Sequence, residues 1–195
     1  QLSQKDIPMH VRLTDDPESS GTQILPPAKR SDAPLSNRGV AGLSTLKNIT
    51  LITVSGGGMV GVPGFSRRLF TALSLAGVNV VLVSQGSSEH AISIAVADAD
   101  AHGAKKALNE EFGADQQLGR IGPLVVESGF AIVALVGDGM RQQSGIAGRA
   151  FGTLGRNGIS IRAISQGSTE RNISIVIDAK HERKALQSLH QSFFE

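Results

Sequence analysis

Two short runs in this 195-residue chain carry the residue types best suited to holding a small polar ligand. One is Gly56-Gly57-Gly58-Met59-Val60-Gly61, echoed by Gly137-Asp138-Gly139-Met140. The other is Ser84-Gln85-Gly86-Ser87, echoed by Ser165-Gln166-Gly167-Ser168. Loop amides ahead of a helix point outward and favour a carboxylate. Glycines let the main chain approach closely, and a carboxamide both donates and accepts. Two readings stay open from the residues alone. Gly58, Gly64, Gly139 and Gly145 either shape turns or cradle a ligand. Gln85 and Gln166 either cap a turn or contact that ligand.

Covalent and metal chemistry have little to work with. The absence of Cys removes disulfides, thiolate zinc sites and cysteine nucleophiles together. The five His (His10, His90, His102, His181 and His190) lack ligand spacing, and no Ser/His/Asp set recurs. We therefore assign no catalytic and no metal-binding residue. Gly56–Gly61 fits the dinucleotide fingerprint G-x-G-x-x-G, which keeps a nucleotide-binding enzyme as an alternative. Ser84 and Gln85 stand where the ribose-binding acid is needed, however, and Gln142 replaces the third glycine in the second run. A net charge of +2 and seven Phe as the only aromatics speak against nucleic acid and a membrane surface. No apolar run approaches the roughly 20 residues of a spanning helix. The expectation is a soluble, cytoplasmic protein; because it begins with Gln1, it reads as a piece of a longer chain.

These motifs recur because the chain repeats itself at a shift of 81 residues, without a gap from Thr50 to Ala97. Each copy spells the same elements. Asn48–Val54 and Phe130–Val136 are continuous β-branched runs, expected as buried strands. Phe65, Leu69, Leu73 and Ala76, matched by Ile146, Ala150 and Leu154, have helical spacing. Gly77 and Gly158 sit where a helix C-terminal glycine belongs. Strands follow at Asn79–Val83 and Ile159–Ile164, then at Ile92–Val96 and Ile173–Ile177. Second helices are expected at Ala101–Phe112 and His181–Phe193, with Asp100 and Asp178 as N-terminal caps or first-turn acids. The order is βαββαβ, the ferredoxin-like split unit, so the fold class is α+β.

The strand count leaves one gap. Copy one has a fourth strand at Pro123–Glu127; copy two reaches Phe194 without one. A three-stranded sheet would leave a row of unpaired backbone groups. The spare strand Val40–Thr45 fills that edge if copy one is inserted in copy two. The domains are then 46–128 for the first and 39–45 with 129–195 for the second. Residues 1–38 form a loop-rich lead-in holding Pro8, Pro17, Pro26, Pro27 and Pro34, with a short strand near Met9–Leu13.

Val83-Ser84-Gln85-Gly86-Ser87-Ser88-Glu89-His90-Ala91-Ile92-Ser93 and Ile164-Ser165-Gln166-Gly167-Ser168-Thr169-Glu170-Arg171-Asn172-Ile173-Ser174 resemble the paired regulatory repeats of aspartate kinases. Val136-Gly137-Asp138-Gly139-Met140 and Leu189-His190-Gln191-Ser192-Phe193-Phe194 fit the same family, and the likeness runs over nearly the whole chain. It implies ACT domains, amino-acid-sensing modules of βαββαβ fold with the first inserted in the second. Ile7-Pro8-Met9-His10-Val11 through Gly21-Thr22-Gln23-Ile24 resembles the end of the family's kinase domain. The family's ATP- and aspartate-binding motifs would lie upstream of Gln1, so ATP and magnesium belong to a catalytic domain this chain lacks.

The resemblance also implies an effector. Lysine-sensing members carry an acidic residue on the second strand of the first repeat, where Val81 stands here and Arg162 in the second copy. The Gln-containing turn is similar to the threonine-regulated type, which is bifunctional with homoserine dehydrogenase; that sequence would follow Glu195. By this likeness Gln85 and Gln166 contact threonine. The remaining contacts come from Met59, Gly64 and Asn79, and from Met140, Gly145 and Ser160. The implied partners are a free amino acid, the protein's own kinase domain and a second copy in a homodimer. A lysine-sensing regulatory region remains the alternative within the family.

Overall fold

The computed structural model describes residues 7–24, 39–86, 88–141 and 143–195. Pro26, Pro27, Pro34, Ser87 and Gln142 lie outside the described residues. The chain divides into a unit of residues 1–37 and a larger unit of residues 38–195. In the first, β1 (Met9–Val11) pairs antiparallel with β2 (Thr22–Ile24), Met9 opposite Ile24. The expected strand near Met9–Leu13 is therefore shorter, and its partner β2 was not expected. Three residues are too few to carry a periodicity.

In the larger unit the β-branched runs become six antiparallel strands in the order β4-β5-β3-β6-β8-β7. These are β3 (Gly42–Ser55), β4 (Val80–Gln85), β5 (Ala91–Ala97), β6 (Val125–Val136), β7 (Ile161–Gln166) and β8 (Asn172–Asp178). Helices α1 (Phe65–Leu75), α2 (Ala101–Gln117), α3 (Ile146–Arg156) and α4 (Glu182–Phe194) complete it.

Two long strands correct the expected list of separate short ones. Val40–Thr45 and Asn48–Val54 merge into β3, and Pro123–Glu127 merges with Phe130–Val136 into β6. Asn48 and Gly129 hold positive φ values of 56° and 87°. Each therefore bends its strand and shifts the register without ending it. The first part of β3 pairs with the last part of β6, Gly42 opposite Val136 and Leu46 opposite Ile132. Beyond the bend, β3 pairs with β5, while the last part of β6 pairs with β8.

One face of the sheet carries two helical cores. Ile52, Val54, Leu69, Leu73, Leu108 and Phe112 form one. Val133, Leu135, Leu154, Ile175, Leu189 and Phe193 form the other, joined by Val40. Full burial of such side chains contributes about 1.5–3 kcal/mol each. The opposite face curls until the outer strands β4 and β7 approach each other, burying Leu51, Leu82, Phe130 and Val176 between the copies.

Helix ends follow the glycines. Gly77 and Gly158 both take φ 68°. The next amides, of Val78 and Ile159, reach back to the Leu73 and Leu154 carbonyls at 3.0 Å, the hydrogen-bond pattern of a left-handed helix terminator. α2 runs five residues past the expected Phe112, across Gly113. Its last turns are held by Arg68, which donates to Glu111 Oε1 at 2.6 Å and to Asp115 Oδ2 at 2.8 Å. Asp100 occupies the position before α2 and Asp178 that before the short turn leading to α4, and neither side chain makes a capping hydrogen bond. Among the described residues, no helix is long and apolar enough to cross a membrane.

Candidate functional site

Each copy opens a small cavity where its glycine-rich loop meets the first helix and the turn after the second strand. The first, about 130 Å³, is lined by Met59, Val62, Gly64, Phe65, Gln85 and Glu89, among others. The second, about 250 Å³, is lined by Met140, Gln143, Gly145, Ile146, Gln166 and Glu170, among others. Every residue of the first set lies 81 residues before one of the second. The molecule has built the same concavity twice.

The local sequence explains the shape. A single helical turn at Gly57–Met59 folds Met59 inward as a buried floor, and Asp138–Met140 does the same with Met140. Gly64 and Gly145 then take φ 87° and 89° immediately before α1 and α3. Neither helix start has a capping side chain or an acidic residue in its first turn. The first-turn N–H groups and the positive end of the helix dipole are thus available to an anion. Gln85 and Gln166 end β4 and β7 at the other wall.

Met59, Gly64 and Gln85 therefore meet in one cavity, and Met140, Gly145 and Gln166 in the other. Asn79 and Ser160 do not join them. Each is exposed and immediately precedes β4 or β7, so the length of a six-residue strand, roughly 20 Å, separates it from the glutamine of its own copy. Gly58 and Gly139 face elsewhere too. The Gly58 amide donates to the Arg120 carbonyl at 2.8 Å, and a Cβ there would come within 2.6 Å of the Arg120 side chain. A Cβ on Gly139 would come within 3.2 Å of Gly39. Gly56 also abuts the Arg120–Ile121 backbone, at 2.5 Å from such a Cβ. Gly56 and Gly58 of the dinucleotide-like run thus face the protein's own linker, in a sheet whose neighbouring strands are all antiparallel.

Glu89 and Glu170 were missed as site residues. Both adopt a left-handed backbone, φ 55° and 54°, and Glu89 Oε2 accepts a hydrogen bond from the Gly61 amide at 2.9 Å. That bond ties the glycine-rich loop to the β4–β5 turn. Their identity across the 81-residue shift was the available signal. Among the described residues, no three His, Asp or Glu gather as a metal site.

The first copy also carries a cluster of ion pairs, in which Arg68 reaches Glu111 and Asp115 and Arg120 lies 3.5 Å from Asp115. The Asp115 carboxyl is held below its ordinary range, chiefly by the hydrogen bond from Arg68. Arg68 also lies 4.8 Å over the Phe112 ring. In the second copy Arg149 takes the same place over Phe193, again at 4.8 Å, and bonds Ser192 instead of acids.

Comparison with known proteins agrees with the duplication. A family model described as an ACT domain matches residues 52–112 and 133–193. The chain is 37% identical to a bifunctional aspartokinase/homoserine dehydrogenase of Haemophilus influenzae, over 99% of this chain but only 23% of that protein. An aspartate kinase of Clostridium acetobutylicum superposes with a TM-score of 0.81 at 25% identity, over 98% of this chain and 42% of the other. The regulatory subunit of aspartate kinase from Thermus thermophilus superposes with a TM-score of 0.69 at 25% identity, over 80% of this chain and 99% of the other.

Proposed function

Because the chain belongs to the ACT domain family and is homologous to the regulatory region of aspartate kinases, we propose that it holds a free amino acid in each of its two equivalent cavities and thereby sets the activity of an attached kinase. The observation that carries this reading is the pair of cavities lined by residues 81 positions apart. A zwitterion suits each of them. Its carboxylate meets the uncapped first-turn amides after Gly64 or Gly145, and its polar groups meet Gln85 or Gln166.

Threonine is the effector we favour. Val81 on β4 offers no charge to a lysine ammonium, and Arg162 on β7 repels one while it pairs with Glu127. We assign residues 46–128 to the first ACT domain and 39–45 with 129–195 to the second, supported by the place of Val40 in the second core. Residues 1–38 are then the end of a kinase domain with its linker. Phosphoryl transfer from ATP to the aspartate side chain, with its magnesium, belongs to the remainder of the parent protein.

Asn79 and Ser160 contribute in this reading only across a homodimer. β4 and β7 are the outer strands of the sheet. A second chain pairing antiparallel along such an edge would bring its own residue 79 or 160 toward the glutamine end. Ligand binding then biases the dimer between two arrangements, a coupling typically of about 1–3 kcal/mol. A thermal-shift panel of threonine, lysine, methionine and isoleucine tests the proposal. Threonine is expected to raise the midpoint most. A shift by lysine alone supports the lysine-sensing alternative, and no shift by any amino acid overturns amino-acid sensing.

A further inference from the structure

The two cavities share some wall residues and differ in others, and the division has chemical content. Five lining positions are identical in both copies: Met59/Met140, Gly64/Gly145, Gln85/Gln166, Glu89/Glu170 and Ile92/Ile173. Their special backbone conformations are duplicated as well, at Gly64/Gly145 and at Glu89/Glu170. Groups kept in duplicate suit what every amino acid has in common, its ammonium and carboxylate.

The remaining positions differ in kind. Val62 and Pro63 of the first loop are replaced by Gln143 and Ser144 in the second, Phe65 by Ile146, and Ser66 by Ala147. Phe65 is spent on a stack with Phe112, ring centroids 4.7 Å apart. The second cavity is correspondingly the larger, about 250 against 130 Å³. Gln143 has room because Gly39 has no side chain. A Cβ on residue 39 would fall 1.9 Å from Gln143 Oε1, and Gly39 also holds φ 71°. At the corresponding place in the first copy stands Arg120. The pair Gly39/Gln143 thus substitutes for Arg120/Val62, and it gives the second cavity a further carboxamide beside the one that Gln85 or Gln166 supplies to each copy.

We propose that Gln143, seated over Gly39 and helped by Ser144, is the specificity-determining residue of the second cavity and reads a hydroxyl or amide on the ligand's side chain, a contact that Val62 cannot make in the first cavity. This rests on the amino-acid-sensing reading above. A wall built to bond a side-chain hydroxyl rejects an analogue that lacks it, whereas an apolar wall tolerates both.

The test is calorimetric titration of the whole chain with threonine and with valine, its near-isostere bearing a methyl in place of the hydroxyl. One site should prefer threonine by about tenfold or more and the other by less than about threefold, the range of one net hydrogen bond. Gln143→Leu should abolish the preference of the discriminating site by weakening threonine there, and Gln143→Asn should restore part of it. Two sites that discriminate equally, or a preference that survives Gln143→Leu in a variant of unchanged circular dichroism, overturn the proposal while leaving amino-acid sensing intact. Absence of binding by both ligands overturns the two together.

Discussion

Asn48 and Gly129 both hold positive φ, 56° and 87°, at corresponding points of the two copies, 81 residues apart, one in β3 and the other in β6. Between them lies the pairing of Ile49 with Phe130, where the ladder shifts register. Each long strand serves one copy before its bend and the other after it. The bends are therefore what allows a duplicated chain to share one sheet.

Gly129→Ala is expected to destabilise the fold by about 1–2 kcal/mol, the cost of placing a Cβ in the left-handed region. No atom lies within 4 Å of such a Cβ, so the effect is backbone strain and not a clash. Asn48→Gly, which keeps the conformation open, should lie within about 0.5 kcal/mol of the parent protein. Urea unfolding of both variants checks the pair, and equal stabilities would show that the bends carry no strain.

Val40 is 1% exposed and packs with α3 and α4 of the second core, although it precedes the whole first copy in sequence. Its counterpart Ile121, 4% exposed, fills the same place in the first core. Val40→Ala should cost about 1–3 kcal/mol. In hydrogen exchange it should loosen the amides of α3 and α4 before those of α1 and α2. The reverse order would detach Val40 from the second copy.

Acid should weaken the first copy through Asp115. Its carboxyl ionises below the ordinary carboxylate range because Arg68 donates a hydrogen bond to it. A group depressed in the folded state contributes stability above its unfolded pKa, about 4, and that contribution fades as pH falls through the folded value. Asp115→Asn should lower stability at pH 7 and flatten the decline below about pH 4, measured by chemical denaturation at several pH values. A decline as steep as that of the parent would place the acid sensitivity elsewhere.

The elements with strong periodicity were legible in the sequence. Leu69 and Leu73, or Ala150 and Leu154, announce a helix through 3.6-residue spacing, and Ile92–Val96 announces a strand through β-branching. The glycine loops and both glutamines were legible as candidate site residues because they occur twice. Long strands were not, since Asn48 and Gly129 read as turn residues until their neighbours are known to pair. The extension of α2 beyond Phe112 hid behind Gly113; Gly119, φ 67°, ends the helix, where the Arg120 amide reaches back to the Asp115 carbonyl at 2.9 Å, and Arg68 holds its last turns. Glu89 looked like one more exposed carboxylate; its contact with the Gly61 amide depends on a fold that brings residues 28 positions apart together. Asn79 and Gln85 seemed neighbours in sequence, whereas a strand of alternating, extended residues holds them at opposite ends.

The most direct measurement is a threonine titration of the parent chain beside Gln85→Ala, Gln166→Ala and the double variant. The account predicts saturable binding by the parent chain. Each single variant should weaken one site by about 0.5–1.5 kcal/mol, the value of one net hydrogen bond, and the double variant should weaken both. Identical isotherms for the parent and the double variant, or no saturable heat from the parent itself, would contradict it.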